Sequence, residues 1–163
     1  MIATDLHAQR ATQYPAHVAK GTLTAADAAT GIRIAAAIEA DWHHVRTLQP
    51  RAVAPAATKA EKVTTLEDAV TRTRLRAGKA GQKMPKLAQR YVGDLGELHH
   101  LAETGWFSAH KKQVAAFVYA AEYAELVETL LWWERRPLGH LFIASINIAA
   151  GVRRPNPNIA EAA

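Results

Sequence analysis

The sequence predicts an all-α protein, a helical bundle of about six helices, and three observations carry that expectation. Alanine supplies 35 of the 163 residues and leucine 14, against 18 valines and isoleucines together. Alanine and leucine lose little freedom on entering a helix, whereas β-branched residues lose more and favour strands. Apolar residues also recur three and four positions apart through every long segment, which is the spacing of one helix face. Capping and breaking residues stand where those periodic segments begin and end.

Taken in order, the first segment ends at Tyr14-Pro15, with Pro15 opening a short second helix that Gly21 stops in the left-handed region. Thr24, with Asp27 three residues on, resembles a capping box. The helix it starts runs to about Leu48 and buries Ile34, Ile38, Trp42 and Val45, with Asp41 and His44 at the flank of that stripe. Residues 1–48 thus read as an N-terminal helical hairpin. Residues 49–60, with two prolines and five alanines and no periodicity, read as an extended, mobile Pro/Ala linker.

Residues 61–152 read as a helical bundle. Thr65 caps a helix in which Leu66, Ala69, Val70, Thr73 and Ala77 share a face, and Gly78 to Gly81 stops it. Pro85 opens the next, with Leu87, Tyr91, Leu95, Leu98 and Ala102 facing inward and Gly105 as its end. Ser108 caps the longest helix, to about Arg135, whose main apolar face holds Tyr119, Ala120, Tyr123, Val127, Leu130 and Leu131. Beyond Pro137, Leu138 to Ala150 is almost uniformly apolar and is expected to be buried. Residues 153–163 read as a disordered tail.

Several function classes fall away at once. There is no cysteine, so disulfides, thiolate metal sites and thiol catalysis are excluded. Residues 1–20 contain no apolar core of a secretory signal, which leads us to expect a cytoplasmic protein. The uncharged run from Pro137 to Val152 is too short and polar to span a bilayer, so no membrane association is expected. No phosphate-binding loop, dinucleotide fingerprint or Gly-x-Ser-x-Gly motif is present, and the expectation is a non-enzyme without cofactors.

Charge gives the strongest functional lead. The formal net charge is +5, and residues 69–93 hold seven basic side chains and no acid: Arg72, Arg74, Arg76, Lys79, Lys83, Lys86 and Arg90. All other residues together balance at −2. On a helix–turn–helix, with Lys83 and Lys86 at the start of the second helix, these groups could contact several phosphates. The expected partner is nucleic acid, or an acidic surface of a nucleic-acid-handling complex. The blander alternative is pairing with the acidic stretch Asp94 to Glu134, within one molecule or across a homodimer.

The run Arg10, Tyr14-Pro15, Val18, Gly21, Leu23-Thr24, Ala28, Ile32, Ala37-Ile38 and Asp41-Trp42 resembles a short helical module of small phage- and prophage-borne proteins, written YPxxVxxGxLTxxxAxxxI. The resemblance covers residues 10–42 and consists of caps and core positions. It implies an origin on a mobile genetic element and brings no catalytic residues with it. A protein of that origin could instead be an inhibitor of host defence, of anti-CRISPR type. Its interface would then draw on Trp106, Phe107, Glu122, Glu125, Glu128, Trp132 and Trp133.

A third class is a carboxylate–histidine metalloenzyme. Glu97-x-x-His100 and Asp41-x-x-His44 place an acid and an imidazole three residues apart, as di-iron bundles do, with Glu122, Glu125 and Glu128 available in addition. The helical wheel turns Glu97 and His100 to the solvent side, beside an expected His99–Glu103 pair, so no metal is expected.

Overall fold

The computed structural model describes residues 2–48 and 56–150, and among these it is all-helical with no strand. Six α-helices follow one another: α1 (Ile2–Ala19), α2 (Ala25–Thr47), α3 (Lys59–Gln82), α4 (Leu95–Glu103), α5 (Lys111–Arg135) and α6 (His140–Ala149). No described helix is long and apolar enough to cross a membrane. Residues 49–55 of the expected linker and the tail 153–163 lie outside the described residues.

The chain forms two compact units. One gathers residues 1–65 and 132–163, the other residues 66–131, and the division falls inside α3 and α5. In the first unit α2 packs against both α1 and α6. Ala3, Leu6, Ile34, Ala35, Ala37, Ile38, Val45 and Ala144 are buried there. In the second, Met84, Ala88, Leu98, Ala102, Phe107, Val114, Phe117 and Val118 form one core cluster.

The hairpin is simpler than its sequence suggests. α1 runs straight through Pro15 as a single helix, so the expected break at Tyr14-Pro15 is absent. An interior proline removes one backbone hydrogen bond and costs about 3 kcal/mol. Docking along α2 offsets it: Leu6 and Arg10 are buried, and Tyr14 lies where a side chain at Gly31 would collide, 2.7 Å from a Cβ there. Gly21 then stops α1 in the left-handed region at φ +69°, where a Cβ would be strained. Thr24 caps α2 by accepting from the Asp27 amide at 3.0 Å, and α2 closes at Leu48 as expected.

α3 starts six residues before Thr65. Thr58 and Glu61 form a complete capping box, overlooked in the sequence because it follows the Pro/Ala run. The Glu61 amide donates to the Thr58 hydroxyl at 3.2 Å, and the Thr58 amide donates to the Glu61 carboxylate at 2.7 Å. Lys59 and Ala60, read as the end of the linker, are therefore helical. The Thr58 amide, the Arg33 guanidinium and the Thr58 hydroxyl hold the Glu61 carboxyl down at about 2. A lowered carboxyl stabilises the fold fully above its ordinary value of 4.5, and loses that contribution as pH falls through about 2. Thr58→Ala should cost about 1 kcal/mol in denaturant melts. The gap in melting temperature between wild type and Glu61→Gln should be constant above pH 4.5 and shrink only below it. A gap that closes nearer neutrality would remove Glu61 from the cap.

Further along, α3 passes through Gly78 to Gly81 and ends at Gln82 instead of stopping at the glycines. Gly81 has a packing use, since a Cβ there would sit 3.3 Å from the Phe117 ring. The helix expected from Leu87 to Ala102 is broken: Ala88–Tyr91 is one 3-10 turn, and α4 begins after Asp94, whose side chain accepts from the Glu97 amide at 2.9 Å. Ser108 caps nothing, lying in a 3-10 turn before α5. Leu87 and Tyr119, expected in the core, are exposed. α6 is not buried either: Ala144 is its buried residue, while Leu141, Phe142, Ile146 and Ile148 are exposed.

Candidate nucleic-acid interface

Two helices of the second unit shape a groove. α3 contributes Arg72, Leu75, Arg76, Lys79 and Ala80, Lys83 follows its last residue, and α5 contributes Lys112, Gln113, Ala116 and Ala120. The concavity measures about 710 Å³. Arg72, Arg76 and Lys79 recur at four and three residues, which puts them on one face of α3 within about 10 Å of axis. With Lys83 and Lys112 they give the lining five cations and no acid, around a floor of Leu75 and three alanines. All five cations are exposed, so none is committed to the core. Such a lining concentrates positive potential and favours an anionic ligand.

Of the seven basic residues singled out by sequence, four line this groove and three do not. Arg74 pairs with Glu128 across α3 and α5. Lys86 and Arg90 are exposed but stand outside the lining. No helix begins at Lys83 or Lys86, because only turn and a four-residue 3-10 segment follow Pro85. The expected attraction of a helix N-terminus at that point is therefore absent. Lys112, overlooked because it is 22 residues beyond Arg90, the last member of the basic run, joins the groove through the pairing of α5 with α3.

The first unit holds a second polar constellation, buried where sequence placed a flank. Asp41 on α2 is fully buried, three residues after Ile38 and four before Val45 in the core stripe. The Lys62 ammonium on α3 donates to Asp41 Oδ2 at 2.8 Å and sits 2.5 Å from Glu134 Oε1 on α5. His140 Nε2, at the start of α6, lies 3.7 Å from Asp41 Oδ1. Burial alone would push the Lys62 ammonium down. The hydrogen bonds and charges of Asp41 and Glu134 outweigh it and hold the group above the ordinary lysine value, so it stays charged at neutral pH.

Among the described residues, Asp41, Glu134 and His140 form a group with metal-ligand geometry, their ligand atoms all within 4.8 Å of one another. Neither of the i, i+3 pairs weighed from the sequence, Glu97–His100 and Asp41–His44, is such a group. Glu97 and His100 are exposed on α4, and His99 pairs with Glu103 at 3.1 Å instead. The donor set already has its cation, because Lys62 bridges both carboxylates.

The aromatic and acidic interface candidates are scattered. Phe107 is buried in the core of the second unit and is withdrawn as a surface residue, whereas Trp106 beside it is exposed. Glu122 and Glu125 are exposed. Trp132 is half exposed, with the Arg136 guanidinium 4.0 Å above its ring, and Trp133 stacks on Phe142. No family model, no curated protein and no solved structure matches this chain.

Proposed function

We propose that the protein is a non-catalytic, mobile-element-encoded binder of nucleic acid, acting through the groove between α3 and α5. The observation that carries this is the convergence of five cations, from two helices distant in sequence, on one concavity that no carboxylate lines. Phosphate backbones answer that chemistry, because each contact releases condensed counterions and adds affinity without base specificity. Fluorescence anisotropy with labelled oligonucleotides tests it across a salt series. Five phosphate contacts should give log K falling against log salt with a slope of about −3.5 on single strands or about −4.5 on duplex. An absence of binding even at low salt would remove the proposal.

A second reading, a protein-directed inhibitor of host defence, is favoured by the exposed apolar side chains of α6 and by Trp106. A host protein that co-purifies stably at high salt, and is lost on polar substitution of Leu141 and Phe142, would support it.

A further inference from the structure

We propose that the groove takes a single strand of nucleic acid, with Tyr119 as the platform on which a base stacks. This rests on the proposed function and narrows it. Three features of the groove select a single strand over a duplex.

The first is the floor. Leu75, Ala80, Ala116 and Ala120 make the apolar floor of the lining, alongside its five cations. A duplex turns phosphates and sugars outward and keeps its bases stacked inside, so it would desolvate that floor and offer it nothing. A single strand can lay base faces against apolar side chains while its phosphates meet the cations. The second is Leu75 itself, which is 59% exposed in the groove and committed to no core.

The third is Tyr119, which is 60% exposed although it sits on a helix that buries much of its length. At 100° per residue it falls 20° from Lys112, seven positions earlier, and 60° from Ala116, three earlier. Both of those residues line the groove, while Gln113 and Ala120, which line it too, fall 120° and 100° away, so Tyr119 borders the groove at its Lys112 edge without lining it. The Tyr123 ring, itself buried, lies behind it with centroids 6.1 Å apart and planes tilted by 33°. An exposed aromatic beside a cationic channel is the arrangement by which sequence-tolerant single-strand binders hold bases.

Anisotropy titrations with labelled oligo(dT) and oligo(U) strands of about 12 nucleotides, and a mixed-sequence DNA duplex of equal length, test this. Single strands should bind at least tenfold more tightly than the duplex, and comparing dT with U shows which sugar is preferred. Tyr119→Ala should weaken single-strand binding about 5- to 150-fold, the effect of losing one stacked base, and leave duplex binding unchanged. Tyr119→Trp should retain single-strand affinity, because a π-face remains. Unchanged melting curves for both variants would confirm that an exposed position was altered without damage to the fold. If duplex binds as tightly as single strands and Tyr119→Ala changes neither, the inference is overturned while the nucleic-acid proposal stands. If no oligonucleotide binds at low salt, both fall together.

Discussion

Lys62→Met should cost about 3–5 kcal/mol of stability, the largest effect expected of any single substitution in this chain. The ammonium lies between two carboxylates that are almost wholly buried, Asp41 and Glu134. Removing it leaves like charges facing each other out of water, and Glu134 Oε2 already has no hydrogen-bond partner among the described residues. Methionine matches the volume, so the loss would come from charge and not from a cavity. The pH window of the dependence should differ between the two proteins, although stability falls with rising pH in both. In wild type the raised lysine contributes stability that is fully present below 10.5 and is lost only as pH rises through its higher folded value. In the variant the paired carboxylates favour proton uptake, so the deficit relative to wild type should shrink as pH is lowered. Asp41, Glu134 and His140 then form a vacated cation site, and zinc should raise the melting temperature of the variant while leaving wild type unmoved. A loss below about 1 kcal/mol, in the range of an exposed pair, would show that Lys62 is not the counter-charge.

The fold was legible in this sequence where the signal is local. Thr24, Gly21 and Gly105 act within one turn of themselves and the Ile34–Ile38–Val45 stripe within one helix, and each does in the structure what its spacing implies. The errors arise where distant segments decide. Pro15 is tolerated because α2 docks along α1, and Gly81 continues a helix because Phe117 comes close. Tyr119 could not be placed from periodicity, since α5 is apolar from Val114 to Ala121 and any face could have been the buried one. Asp41 was displaced by its chemistry: a carboxylate is usually at the surface, although its position between Ile38 and Val45 lay in the core stripe. Its partners Lys62 and His140 are 21 and 99 residues away, and no local pattern announces them. The basic segment was visible as a charge run. Which of its members converge was not, because Lys112 is brought in by tertiary packing and Arg74 is drawn away to Glu128.

Reversing Arg72, Arg76, Lys79 and Lys83 to glutamate should lower affinity for nucleic acid by about a thousandfold or more, while circular dichroism stays helical. All four side chains are exposed, so the fold has little to lose. Four of the five groove cations would become anions, replacing attraction with repulsion at each phosphate position. The salt slope should flatten by about 0.7 units per contact removed on single strands, or about 0.9 on duplex, leaving only the Lys112 contribution. The informative control is a second reversal, Lys86→Glu with Arg90→Glu. These two belong to the same charge run but stand outside the groove lining. If binding is a local matter of groove contacts, screening over about 8–10 Å makes the control weaken binding only slightly and leaves the slope nearly intact. If charge for charge the two reversals weaken binding equally, the protein attracts nucleic acid through a diffuse positive field and the groove holds no defined strand. A quadruple variant that keeps full affinity would leave the basic segment as a solvated face. The exposed apolar face of α6 would then be the surface to test against host proteins.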